Sequence, residues 1–175
     1  MNTLYLLLFF ICMPANNKSA EIYNINNKDR KIGYITDNSY KFLTDTITLK
    51  KEWQDILQSV KPETTFDKIE IRKDITLGTS NKEYYMVVAY DYSQNLKSAR
   101  WLVKKRNNLY FFANTNNTVD NEIFYRTHYT LYGSDTDCFP KVHYINKEYV
   151  WAGSEKLVCL PDDPCKSSST FVPYE

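Results

Sequence analysis

Glycine and histidine are scarce in this chain. Its 175 residues include only four Gly and two His. So few glycines argue against loops that cradle phosphate groups through backbone N–H groups, and the sequence has no Gly-x-Gly-x-x-Gly, Gly-x-Ser-x-Gly or His-Glu-x-x-His pattern. No catalytic, cofactor-binding or metal-binding residue is therefore predicted.

An excess of charge is also missing. The chain has 22 Lys and Arg against 21 Asp and Glu, which gives a formal net charge of +1. Proteins that bind nucleic acids usually carry a marked positive excess because they must neutralise phosphates. We therefore expect no nucleic-acid partner. The 43% apolar and 25% charged fractions are those of an ordinary globular domain.

The apolar run at residues 4–13 is too short to span a bilayer, which needs about 20 apolar residues. Its length suits the centre of a secretory signal, so we predict a signal peptide at residues 1–20 and an exported location, whether periplasmic, cell-surface or secreted. Cleavage after Ala20 or after Ala15 both fit, and a buried N-terminal segment is the alternative. The bulky Ile11 before Cys12 argues against a lipid anchor on that cysteine.

Residues 49–60 have the spacing of a helix with one apolar face. The apolar positions recur every three or four residues: Leu49, Trp53, Ile56, Leu57 and Val60. Thr48 is the predicted N-cap, and Pro62 makes continuation of the helix unfavourable. We expect this helix to lie across a sheet, with Trp53 as its packing anchor.

The rest of the chain has the patterns of β-strands. Residues 83–92 are apolar on both faces, as in a central strand, and residues 106–108 form a predicted tight turn between two strands. A hairpin within residues 21–43 is also plausible. The other predicted strands are 68–72, 100–105, 109–112, 123–132 and 142–151. We predict an α+β fold, an antiparallel β-meander of five to seven strands with one amphipathic helix, spanning residues 21–165 and followed by a loosely ordered tail at 166–175.

Cysteines provide the clearest covalent prediction. After removal of the signal peptide, Cys138, Cys159 and Cys165 remain, so one disulfide is expected in an oxidising compartment, with one cysteine left over. The bond either closes the short Cys159–Cys165 loop or joins Cys138 to one of those two. A zinc site formed by these cysteines and His143 is the alternative, but its spacings do not match those of common structural sites.

Two histidines and a few acids allow a hydrolase hypothesis. His128 or His143 would act as a base, with Asp135, Asp137 or Cys138 nearby. Asp135 and Asp137 also resemble the start of a calcium loop, but the later ligands of such a loop are missing, so a solvated turn is the preferred interpretation.

Tyrosine is abundant, with 15 residues, many of them in the predicted strands. Its preference for strands accounts for most of these positions. Tyrosine is also favoured at recognition surfaces. A candidate binding face is therefore formed by Tyr85, Tyr110, Tyr125 and Tyr129.

Residues 83–92, residues 101–112 and the Cys159–Cys165 segment resemble small exported proteins of uncharacterised role from Bacteroidetes-type bacteria. The resemblance implies a short signal, one helix, a strand meander rich in Tyr and Lys, and a cysteine-containing tail. It implies no activity. The leading hypothesis is an exported protein that binds another protein, as an inhibitor or immunity-type protein does. The alternatives are the extracytoplasmic hydrolase and a carrier of a small apolar ligand held between helix and sheet.

Overall fold

The computed structural model describes residues 29–37, 39–58, 61–112, 122–132, 138–153 and 165–171, so the predicted signal peptide lies outside the described residues. The described residues form two helices, α1 (Thr46–Leu57) and α2 (Glu122–Tyr125), and eleven strands. The strands are β1 (Arg30–Ile35), β2 (Tyr40–Phe42), β3 (Lys68–Ile75), β4 (Leu77–Gly78), β5 (Glu83–Asp91), β6 (Leu96–Lys105), β7 (Asn108–Phe111), β8 (Thr127–Tyr132), β9 (Lys141–Ile145), β10 (Glu148–Ala152) and β11 (Lys166–Phe171). The α+β class and the mostly antiparallel sheet are confirmed, while the strands outnumber the five to seven predicted.

Helix α1 begins three residues earlier than predicted. Asp45, not Thr48, is the N-cap: its carboxylate accepts hydrogen bonds from the backbone N–H groups of Ile47 (3.3 Å) and Thr48 (2.9 Å). The hydrogen bond from the Thr48 side chain is the main cause that lowers the pKa of Asp45. Ile47, the apolar residue of the first turn, is 74% exposed and does not belong to the buried face of the helix. The apolar periodicity therefore does not indicate where the helix begins. The predicted anchor is confirmed, because Trp53 is 1% exposed.

The long strand β6 is the centre of the main sheet. It pairs with β5, β7 and β8, and the sheet continues from β5 to β3, from β7 to β1 and β2, and from β8 to β11. The predicted β6–β7 turn is confirmed, with Lys105 opposite Asn108 and Arg106 in a left-handed conformation (φ 56°). The predicted N-terminal hairpin is present as β1–β2. A second, smaller sheet contains β10, β9 and β4.

Strand β5 is buried on both faces, as predicted. Tyr85, Val87 and Ala89 face the cluster that includes α1, whereas Met86 and Val88 face a second cluster that includes α2 and residues of β9 and β10. The sheet is therefore covered by a helix on one face and by a β-hairpin with a short helix on the other. These two sides are called here the α1 face and the hairpin face.

The predicted strand at 123–132 is wrong in its first part, because Glu122–Tyr125 is helical. The rings of Phe124 and Tyr125 both contact Trp101, with centroids 5.3 and 5.8 Å away. Consecutive residues of a strand point to opposite faces, so a strand would separate these two rings. A helical turn brings both of them onto Trp101.

The predicted strand at 142–151 is two strands, β9 and β10, joined by Asn146 and Lys147. Both turn residues have positive φ (51° and 70°), the conformation that two-residue hairpin turns require and that usually favours Asn or Gly. With no glycine in the turn, the sequence pattern reads as one continuous strand.

The C-terminal tail also differs from expectation. Residues Lys166–Phe171, predicted as loosely ordered, form β11 and pair with β8 over their whole length, from Lys166 opposite Tyr132 to Phe171 opposite Thr127. Backbone pairing needs no apolar side chains, so a serine-rich strand at a sheet edge has little sequence signature. Among the described residues, no helix has the length and apolar character to cross a membrane.

Candidate functional site

The β5–β6 pair is closed at one end and open at the other. At the closed end, Asp91 pairs with Leu96 across a short turn. At the other end the register stops at Tyr85 opposite Leu102. Beyond it, β5 continues alongside β3, and β6 continues alongside β7. The two strands are therefore no longer paired with each other at this end.

A groove of about 360 Å³ lies where the two strands separate. It is called here the aromatic groove, and it is lined by Glu83, Tyr84, Tyr85, Trp101, Leu102, Val103, Lys104 and Tyr125. It touches three consecutive residues of β5 and four consecutive residues of β6. Since consecutive residues of a strand point to opposite faces, the groove runs across the end of the strand pair rather than along one face.

Stacked rings form one wall of the aromatic groove. The Tyr84 and Trp101 rings are nearly parallel, with centroids 4.9 Å apart and planes 8° apart. Tyr125 packs against Trp101 on one side and against Phe112, with centroids 5.2 Å away, on the other. Burial, the larger cause, and the nearby Asp74 carboxylate raise the pKa of Tyr84, and burial raises the pKa of Tyr125. Both phenols are therefore neutral near pH 7, so this wall is apolar with polar tips.

The rim of the aromatic groove carries charge. Glu83 forms an ion pair with Lys73, and the hydrogen bond from Lys73 is the main cause that lowers the pKa of this carboxyl. Lys104 is exposed, and its ammonium group lies 5.4 Å from the centre of the Tyr85 ring. Ile75, which pairs with Glu83 on the neighbouring strand, is 49% exposed and extends the apolar surface beside the rim.

The four tyrosines of the predicted binding face do not lie together. Tyr85 and Tyr125 line the aromatic groove, and Tyr110 lies opposite Val103, another lining residue. Tyr129 is elsewhere: it is 6% exposed and stacks on Trp151 with centroids 5.6 Å apart. Tyr84, Trp101 and Lys104 were not among the predicted residues. Their strands were predicted, but the point at which the strands separate has no sequence signal.

The two histidines are both buried. His128 is fully buried, and its ring lies 4.4 Å from that of Trp53 in an edge-on contact. Neither ring nitrogen has a hydrogen-bond partner among the described residues. Burial, with a smaller contribution from Arg100, lowers the pKa of His128 well below its usual value. A buried, neutral imidazole whose nitrogens form no hydrogen bond with a described residue is not placed to act as a general base.

His143 is 5% exposed on β9, opposite Val150 of β10. The acids that the hydrolase hypothesis would use, Asp135 and Asp137, lie outside the described residues.

The cysteine alternatives are resolved by a disulfide between Cys138 and Cys165, whose Cα atoms are 5.4 Å apart. It joins the segment before β9 to the start of β11. Because Cys165 is bonded to Cys138, the alternative disulfide between Cys159 and Cys165 is excluded. Cys159 itself lies outside the described residues. The disulfide also removes two ligands of the zinc alternative and the thiol of the hydrolase alternative. In the part of the chain that the structure describes, no three His, Cys, Asp or Glu side chains are grouped as a metal site would require.

The fold defines a disulfide-linked α+β domain with a mostly antiparallel sheet. No protein-family model, curated protein or solved structure matches this chain. Its function is therefore inferred from the groove and the residues around it.

Proposed function

We propose that this chain is an exported protein that acts by binding another protein, in an inhibitor or immunity-type role, and that the aromatic groove is its contact site. The observation that carries the proposal is the end of the β5–β6 pairing at Tyr85 and Leu102, which leaves an open groove walled by stacked rings. Aromatic residues dominate the binding energy of many protein interfaces because they bury a large area at a small entropic cost.

Three further observations support binding rather than hydrolysis. In the described part of the chain, His128 is buried without a hydrogen-bond partner, Cys138 is held in a disulfide, and the residues that line the aromatic groove include no histidine or cysteine. The disulfide is compatible with a location outside the cytoplasm, where such bonds persist. The near-zero net charge favours a protein partner over a polyanion.

Two tyrosines at opposite ends of the β5–β6 pair allow a matched test. Tyr125 lines the aromatic groove, whereas Tyr92 follows β5 at the closed end and is 63% exposed. The tagged protein beginning at Glu21 is incubated with the envelope fraction of its own organism, and the retained proteins are identified by mass spectrometry. We expect one partner to be retained by the wild type and by Tyr92→Ser, and to be lost with Tyr125→Ser.

Two controls separate loss of contact from loss of fold. Tyr125→Phe keeps the ring that packs on Trp101, so this variant should still retain the partner. Near-UV circular dichroism reports whether Tyr125→Ser keeps its aromatic packing. Equal retention by the two serine variants, with both folded, would place the contact elsewhere and contradict the proposed site. Absence of any retained partner would contradict the binding function.

A further inference from the structure

We infer that the aromatic groove takes an acidic segment of the partner, with an aromatic side chain of that segment packed beside Tyr125 and Trp101 and a carboxylate next to Lys104. This inference rests on the proposed function and specifies the chemistry of the occupant. Size, charge and ring geometry each support it.

Size restricts the occupant to a short segment. At about 360 Å³ the groove is at the small end of the range of about 300–1,000 Å³ that is usual for ligand pockets. It therefore accommodates one or two side chains rather than a broad folded surface. A partner loop or terminus meets that requirement.

Charge selects an acidic segment. At this end of the molecule Lys73 is paired with Glu83, and Lys105 is paired with Asp29, so these four charges offset one another. Lys104, which also acts electrostatically on the Glu83 carboxylate, and Arg106 belong to the same β6–β7 hairpin and are both exposed, so among the described residues they leave a positive surplus beside the groove. Complementary charge across an interface increases the association rate and excludes partners of like charge. A basic segment would meet repulsion at this rim.

Ring geometry selects an aromatic anchor. The rings of Phe124 and Tyr125 lie edge-to-face with Trp101, at interplanar angles of 68° and 60°, and Tyr84 stacks on it. Tyr125 is only partly buried although it contacts several rings. An incoming aromatic side chain can therefore join an existing array in the offset or edge-on arrangements that ring quadrupoles favour. An aliphatic side chain would gain burial but not this geometry.

Peptide selection tests the occupant directly. A phage library of random heptapeptides is panned against the disulfide-bonded protein beginning at Glu21. We expect enriched peptides to combine Asp or Glu with Tyr, Phe or Trp. Enrichment of basic peptides, enrichment of uncharged aliphatic peptides, or no enrichment would each overturn the inference.

A pair of charge reversals supplies the control. Lys104→Glu changes the groove rim, whereas Lys51→Glu makes the same change on the exposed side of α1. A synthetic peptide of the selected sequence should bind Lys104→Glu at least about fivefold more weakly than it binds the wild type at low salt, and the difference should shrink in 0.5 M NaCl because salt screens exposed charges. Lys51→Glu should bind like the wild type. Equal weakening by both variants would overturn the inference.

Competition distinguishes this inference from the proposed function. If the selected acidic peptide displaces the partner retained from the envelope fraction, the proposed function and the inference about its occupant are both supported. If the partner depends on Tyr125 but the acidic peptide does not displace it, the occupant is wrong while the function stands. If the partner does not depend on Tyr125, the proposed contact site itself has failed.

Discussion

The two faces of β5 and β6 are covered in different ways. The α1 face is filled by side chains that are almost fully buried, including Trp53, Leu49 and Ile32, at 0–1% exposure. The hairpin face is largely aromatic, and several of its rings, such as Tyr125 and Tyr149, are only partly buried. Alternate residues of the same strands thus contribute to a closed core on one side and to a partly open array of rings on the other, while the aromatic groove crosses the end of the strand pair and also touches Tyr85 and Leu102 of the α1 face. The comparison leads us to expect that the α1 face contributes most of the stability, whereas the partly open rings of the hairpin face contribute most of the surface available for the proposed binding.

The largest effect is expected on the α1 face. Trp53→Ala removes a buried ring that contacts Phe66, Phe111 and His128, and should lower the free energy of unfolding by about 3–5 kcal/mol. Urea unfolding followed by circular dichroism measures the change. Ile47→Ala, on the exposed side of the same helix, should change stability by less than about 0.5 kcal/mol. Similar values for the two variants would show that α1 is not the main support of this face.

The next effect concerns the hairpin face. The Cys138–Cys165 bond spans 27 residues and ties the segment before β9 to β11. Replacing both cysteines with serine, in a Cys159→Ser background that prevents other pairings, should cost about 3.5 kcal/mol by the chain-entropy relation. Urea unfolding measures the loss, and wild type treated with reductant should show a similar one. Hydrogen exchange should speed up more in β9 than in β3, and a uniform increase would contradict independent support of the two faces.

A smaller effect is expected from pH on the α1 face. Burial lowers the pKa of His128, so the folded protein binds its proton only well below the unfolded pKa of about 6.5. The unfolded state therefore takes up more protons as the pH falls below 6.5, and the free energy of unfolding should drop by up to about 1.4 kcal/mol per pH unit. Denaturation between pH 7 and 5.5 measures this slope. It should disappear in His128→Leu, and its persistence would assign the slope to another group.

The smallest effect on stability belongs to the rim of the aromatic groove. Lys104 is exposed and contacts only one ring in the described part of the chain through a cation–π interaction, that of Tyr85, so Lys104→Glu should cost less than about 1 kcal/mol. Thermal unfolding measures the shift. A larger loss would mean that the rim supports the fold, and the division between the two faces would then be wrong.

The predictable parts of the fold were those with a local physical signature. The apolar positions around Trp53 recur with the helical period, and residues 83–92 are apolar on both faces, so α1 and the central strand followed from periodicity. Strand β11 had no such signature, because its Ser-rich residues are held by backbone pairing with β8. The turn at Asn146 and Lys147 was missed because two non-glycine residues occupy left-handed conformations there.

The candidate site was predicted only in part, for a related reason. Tyr85 and Tyr125 were recognised as aromatic residues of strand-like segments, and both line the groove. Trp101 and Lys104 belong to a predicted strand as well. Nothing in their local sequence indicates that β5 leaves β6 next to them, because beyond this point, among the described strands, β5 is paired only with β3, and β6 is paired with β7.

The sequence by itself determined the mixed α+β character, the near-zero net charge, the face of α1 that is buried and the burial of β5 on both faces. Each of these depends on composition or on residues a few positions apart. Only the tertiary structure decided that Cys138 pairs with Cys165 and that the β5–β6 pairing ends at Tyr85 and Leu102. Both depend on contacts between segments distant in the chain. Periodicity shows that a residue is buried, but not which neighbour buries it.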